Sequence, residues 1–129
     1  MNTVSLTLFF AGLCALLQVA LTALVIVRRL QTGVRFMDGG DPQLMRRIRA
    51  HGNFSETVPM ALLLMALLEM RGMGSHWLMA FGAALLLGRA LHAQCLINNN
   101  ATWGRLAGMV LTIGVISIEG VCALWFFLR

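Results

Sequence analysis

The residues best suited to chemistry lie in one basic stretch that leads into an apolar block. The stretch runs from Arg46 to Pro59, and the following residues 60–68 contain no polar side chain. At about 100° per residue on a helix, four of its side chains fall within an arc of roughly 80°: Arg46, Arg49, Asn53 and Glu56. Such a face could hold a ligand with both negative and positive groups, because guanidinium groups bind anions and a carboxylate binds a cation.

The composition indicates a membrane protein. Of the 129 residues, 59% are hydrophobic and 12% are charged, which is too apolar for an ordinary soluble domain. The net charge of +5 comes from arginines that cluster beside apolar segments. We therefore expect a lipid bilayer around the chain, and no nucleic acid as its partner. The three cysteines lie far apart, without the close pairing of a metal or redox site, so no metal is expected.

Four apolar segments predict an all-α integral membrane protein, a four-helix bundle in one domain of residues 1–129. The spanning helices are predicted at about 3–29, 42–71, 76–97 and 103–128. Asp41 and Pro42 predict a firm start for the second helix, because aspartate caps backbone N–H groups and proline holds the first helical dihedral. Ser75 and Thr102 are the predicted caps of the third and fourth helices.

The arginines also predict an orientation. They surround the first loop, and Arg105 follows the third helix, so both of these loops are expected on the cytoplasmic side and both termini on the other. This topology brings Arg89 and His92, which are three residues apart on one helix face, close to Arg105 and to the basic face of the second helix. The predicted site is rich in cations, with Glu56 as its carboxylate.

A small zwitterionic acid suits such a site, and glutathione is one. It has two carboxylates for arginines, an ammonium group for Glu56, and a thiol whose ionisation a guanidinium favours. Arg105 is the candidate to stabilise the thiolate, because backbone N–H groups at the start of the fourth helix also favour an anion. The co-substrate then carries the reactive sulfur, and no protein nucleophile is required.

Two segments carry a family resemblance. The first comprises Gly39-Gly40-Asp41-Pro42, the stretch from Arg46 to Glu56, and Pro59; the second is Gly88-Arg89-Ala90-Leu91-His92 on the third helix. Both resemble the MAPEG family, the membrane-associated proteins in eicosanoid and glutathione metabolism. The branch most resembled is the short bacterial, YecN-like proteins. The resemblance covers nearly the whole chain and implies a homotrimer that holds glutathione between subunits near the cytoplasmic face, with lipophilic substrates entering from the bilayer.

The resemblance also implies roles for individual residues. Arg49, Asn53 and Glu56 would bind glutathione, Arg89 and His92 would line the same pocket, Arg46 would lie one turn further out, and Arg105 would stabilise the thiolate. The implied activity is that of a microsomal-type glutathione transferase, or of a peroxidase, acting on lipophilic electrophiles or lipid hydroperoxides in a bacterial inner membrane, with a role in detoxification.

Other interpretations stay open. Leu96 stands where several members of that family have a tyrosine, which favours a non-catalytic lipid-binding or scaffold protein of the same fold. A transporter or channel would also use charges in the membrane, but here the charges gather at one end. The basic loop could serve topology alone. Glu56 could pair structurally with Arg49 or Arg89. Glu69 and Glu119 could pair with Arg71 or across subunits.

Overall fold

Four long helices make up the structure. The computed structural model describes residues 4–99 and 103–129. The helices are α1 (Ser5–Thr32), α2 (Pro42–Met70), α3 (Ser75–Ile97) and α4 (Trp103–Leu128). All four are long and apolar enough, by length and composition, to cross a membrane. The predicted all-α, four-helix membrane fold is therefore confirmed.

Specific residues set the helix ends at the loop between α1 and α2. Gly33 ends α1 with φ at 71°, and its N–H donates to the carbonyl of Arg29 at 2.9 Å, so α1 runs past the predicted end near residue 29 to Thr32. Asp41 caps α2 as predicted, because its Oδ1 accepts from the N–H of Leu44 at 2.6 Å. Arg28 forms an ion pair with the same carboxylate at 2.7 Å.

The predicted cap of α3 was wrong, and one of the two pairings left open for Glu69 is not formed. Gly74, not Ser75, is the N-cap of α3, and no side chain caps this end, because the helix already begins at Ser75. Glu69 does not pair with Arg71: its oxygens accept from the N–H groups of Leu6 and Thr7 at 2.9 and 2.8 Å. The first N–H groups of a helix lack partners within it, so they attract this carboxylate. The predicted cap Thr102 lies outside the described residues.

The helices pack as a bundle with α2 and α3 between the other two. Both α1 and α4 pack against α2 and against α3. Because consecutive helices run antiparallel, the α1–α2 loop, the end of α3 and the start of α4 lie at the same end of the bundle, here called the loop end. One apolar cluster around Phe54 and Leu85 lies towards the loop end, and a second around Met65 and Leu78 lies towards the opposite end.

Helices α3 and α4 approach each other closely through two glycines. A Cβ atom added at Gly108 would lie 2.5 Å from the carbonyl oxygen of Gly88 and 2.9 Å from the backbone nitrogen of His92. Real Cβ atoms do not come so near to backbone atoms, so only glycine permits this approach. The approach brings the polar residues of α3 against the backbone of α4.

Candidate functional site

A cavity of about 420 Å³ lies between α2, α3 and α4 at the loop end. Charged, polar and apolar side chains line it: Arg49, Asn53, Glu56, Thr57, Arg89, His92, Leu96, Arg105, Met109, Thr112 and Ile113. All of the predicted site residues except Arg46 are in this lining. Arg46 precedes Arg49 by three residues and so lies about 4.5 Å nearer the loop along the helix axis.

Arg89 is a buried guanidinium without an anionic partner in the described part of the chain. Its side chain is only 4% exposed. Nη1 donates to the carbonyl of Asn53 at 3.3 Å, Nη2 donates to the carbonyl of Gly108 at 3.2 Å, and the buried Nε has no partner. Burying a charge without a counter-charge is costly, so this position gives the cavity a strong preference for an anion.

His92 links three helices through both of its ring nitrogens. Nδ1 lies 3.1 Å from the carbonyl oxygen of Arg105, and since a carbonyl only accepts, Nδ1 must donate. Nε2 is then the acceptor for the side-chain amide of Asn53, 3.0 Å away. The ring therefore fixes the Asn53 side chain on α2 and the first turn of α4.

The outer rim of the cavity carries charges with no partner among the described residues. Arg49, Glu56 and Arg105 are exposed, and their side chains form neither hydrogen bonds nor ion pairs within residues 4–99 and 103–129. The structural pairing of Glu56 with Arg49 or Arg89 is therefore not formed. The lining combines three arginines with one glutamate, which gives it a net positive charge.

Four of the lining residues were not predicted from the sequence: Thr57, Met109, Thr112 and Ile113. Thr57 donates to the carbonyl of Asn53 at 2.8 Å, and Thr112 donates to that of Gly108 at 2.9 Å. Helical spacing could have found them, because Thr57 follows Asn53 by four residues and Thr112 follows Arg105 by seven. The other two, Met109 and Ile113, form an apolar wall.

That apolar wall is continuous with the outer surface of α4. Met109 is 43% exposed and Ile113 is 54% exposed, although both line the cavity. In a bilayer this surface would face acyl chains. The cavity is therefore polar on the side of α2 and α3 and apolar where it opens along α4.

Comparison with known proteins agrees with these features. The model of the MAPEG family matches residues 7–125. The chain is 33% identical over 117 residues to the inner membrane protein YecN of Escherichia coli, and this similarity covers 91% of the chain and 88% of that protein. The same values hold for YecN of a second E. coli strain. No solved structure matches the chain.

Proposed function

This chain belongs to the MAPEG family, and we propose that it is an inner-membrane protein that binds glutathione in the cavity between α2, α3 and α4. We further propose that it activates the glutathione thiol towards lipophilic electrophiles or lipid hydroperoxides. The family includes glutathione-dependent enzymes. The observation that carries the proposal is the buried guanidinium of Arg89, which lines the cavity and lacks an anionic partner within the described chain.

The charges of the lining fit glutathione. Arg49 and Arg89 are suited to its two carboxylates, because a guanidinium fork binds a carboxylate through two hydrogen bonds. Glu56 is suited to its ammonium group. Glutathione carries more negative than positive charge, which matches the net positive charge of the lining. Ionisation of the thiol adds one more negative charge and strengthens this match.

Arg105 is the residue proposed to act on the thiol. When bound, glutathione supplies the sulfur nucleophile for transfer or reduction. A guanidinium close to a thiol favours its ionised form. His92 holds the first turn of α4 through the carbonyl of Arg105, so it limits where this guanidinium can lie. The apolar wall formed by Met109 and Ile113 would admit a lipophilic second substrate from the bilayer.

A neighbouring subunit is proposed to cover the rim of the cavity. Arg49, Glu56 and Arg105 are exposed on the outside of a bundle whose helices are long enough to span a membrane. Ionised groups that face acyl chains are costly. A homotrimer that encloses glutathione between subunits, near the cytoplasmic face, would remove this cost, and both termini would then lie on the opposite side.

Glutathione binding to the purified protein tests the proposal. We expect saturable binding by calorimetry, and Arg49→Ala and Glu56→Ala should each weaken it at least about tenfold, which is about 1.4 kcal/mol. Arg71→Ala is the matched control, because Arg71 lies at the opposite end of the bundle and donates to the carbonyl of Phe126. Absence of binding by protein that keeps a trimer's mass in the same detergent would refute the proposal.

One observation favours a non-catalytic alternative. Leu96 lines the cavity, at the position where several members of the family have a tyrosine hydroxyl. A lipid-binding or scaffold protein would bind glutathione or a lipid without activating a thiol. Thiolate absorbance in the ultraviolet and conjugation of a standard electrophile separate the two functions. An enzyme should show both signals and lose them in Arg105→Ala, whereas a scaffold should show neither.

A further inference from the structure

The loop between α1 and α2, residues 33–41, is held in a defined shape. Nη1 of Arg29 donates to the carbonyl of Val34 at 3.4 Å and to that of Met37 at 3.0 Å. The N–H of Asp41 donates to the carbonyl of Asp38 at 2.9 Å. These bonds fold the loop back towards the last turn of α1, so the loop does not extend away from the bundle.

This loop nevertheless exposes two adjacent apolar side chains. Phe36 is 84% exposed and Met37 is 80% exposed. Met37 has φ at 55°, a conformation that residues with a side chain rarely adopt, and the hydrogen bond from Arg29 to its carbonyl helps to hold it there. The fold therefore directs these side chains outwards instead of covering them.

The depth of the loop follows from the length of α1. This helix has 28 residues, or about 42 Å, and the hydrocarbon core of a bilayer is about 30 Å thick. The end of α1 therefore reaches the headgroup layer, and a loop folded back on that end stays in the layer. Aromatic side chains are favoured at this depth, where one side is apolar and the other is wet.

The charges of the loop favour a negative partner. Arg28 is neutralised by Asp41, and Arg29 is bound to loop carbonyls. Arg35 is exposed and forms no hydrogen bond or ion pair with any described residue. The remaining acid in the loop, Asp38, does not pair with Arg35, and Arg29 keeps its charge while it donates to carbonyls, so three arginines face two acids here and Arg35 presents a free guanidinium directly beside Phe36.

We propose that residues 35–37 anchor this end of the protein to anionic phospholipid. Phe36 and Met37 insert at the boundary between headgroups and acyl chains, and Arg35 binds the lipid phosphate. Trp103, the first residue of α4, is 84% exposed at the same end of the bundle. This anchor does not depend on the proposed glutathione site, because none of its three residues lines the cavity.

Fluorescence of Phe36→Trp in vesicles tests the proposal. The protein is reconstituted in phosphatidylcholine with or without phosphatidylglycerol, and the wild-type signal of the native tryptophans is subtracted. We expect blue-shifted emission from the added tryptophan. Lipids brominated near the headgroup should quench it at least about twofold more than lipids brominated deep in the chain or aqueous acrylamide.

Charge variants and a second reporter complete the test. Arg35→Gln should reduce the quenching in vesicles that contain phosphatidylglycerol and leave it unchanged in phosphatidylcholine alone, whereas Arg71→Gln, at the opposite end, should change neither. Met37→Trp is a second reporter, to be used if Phe36→Trp disturbs the fold, and it should show the same blue-shifted emission and the same quenching. A water-like emission with ready acrylamide access would overturn the anchor. A tryptophan shielded from both acrylamide and bromine would also overturn it, because it would indicate contact with another protein chain.

Discussion

The two ends of the bundle use charged residues in different ways. At the end opposite the loop, both oxygens of Glu69 accept N–H groups of α1, and Arg71 donates to the carbonyl of Phe126. At the loop end, Arg89 is buried without an anion, and the rim charges Arg49 and Glu56 have no partner among the described residues. A charge whose hydrogen bonds are satisfied within the chain stabilises the fold. A charge that the fold leaves unmatched in the lining of a cavity is available to a ligand.

The largest expected effect comes from removing the buried guanidinium at the loop end. Arg89→Met should abolish glutathione binding. The free energy of unfolding should change by no more than about 1 kcal/mol, because the carbonyls of Asn53 and Gly108 keep the hydroxyls of Thr57 and Thr112 as donors and the cost of burying an unpaired guanidinium is removed. Arg89→Lys keeps the charge without the planar fork and should lie between this variant and the wild type. Calorimetry and thermal unfolding in one detergent measure both effects. If Arg89→Met bound glutathione as tightly as the wild type, the unmatched charge at the loop end would not be needed for the ligand.

Variants of His92 test whether glutathione binding depends on how this ring positions Arg105 and Asn53. His92→Leu removes the donor to the carbonyl of Arg105 and the acceptor for Asn53, and we expect glutathione binding to weaken about tenfold, or about 1.4 kcal/mol. His92→Asn can still donate an N–H to that carbonyl and should recover part of the affinity. Equal loss in both variants would show that the ring acts by packing alone.

Glu69 provides the contrasting experiment at the opposite end. Glu69→Ala removes the acceptor for the first N–H groups of α1 and should lower the free energy of unfolding by about 1–2 kcal/mol, the range of a lost helix cap. Glutathione affinity should not change. A loss of affinity comparable to that of Glu56→Ala would mean that the two ends are not functionally separate.

The cap at Asp41 predicts a smaller effect that depends on pH. The hydrogen bond from Arg28, together with that from the N–H of Leu44, lowers the pKa of this carboxyl from 3.8 to about 2. A pKa lower in the folded protein gives a stabilisation that is complete above the unfolded pKa and is lost as the pH falls towards about 2. Asp41→Asn should therefore flatten the fall in melting temperature between about pH 4 and pH 2. An unchanged acid profile would show that this ion pair does not contribute.

Glu119 is the charged residue whose substitution should have the smallest effect on stability and on glutathione affinity. It is only 1% exposed on α4, and its Oε2 has no hydrogen-bond partner within the described chain. Replacing this carboxyl therefore removes no hydrogen bond of Oε2 to a described residue. Glu119→Gln replaces it with a neutral group of the same shape, so the melting temperature and glutathione affinity should stay close to those of the wild type. A large loss of stability would indicate that the carboxyl is ionised and matched.

The sequence predicted the features that depend on local geometry. Four apolar segments gave the four helices, and Asp41 with Pro42 marked the start of α2. Arg49, Asn53 and Glu56 share a face because helical periodicity follows from covalent geometry alone. The antiparallel order of the helices was enough to place Arg89, His92 and Arg105 at the same end of the bundle.

Only the tertiary structure decided which of these polar groups would find a hydrogen-bond or ion-pair partner on another helix. Glu69 binds the backbone of α1 instead of Arg71, and both ring nitrogens of His92 are used between helices. Arg89, by contrast, is buried against carbonyls and lacks an anion among the described residues. These outcomes depend on which atoms of different helices come within about 3 Å of each other. That distance is set by packing, and for Arg89 and His92 by the close approach of Gly88 and Gly108. No spacing within a single segment specifies it.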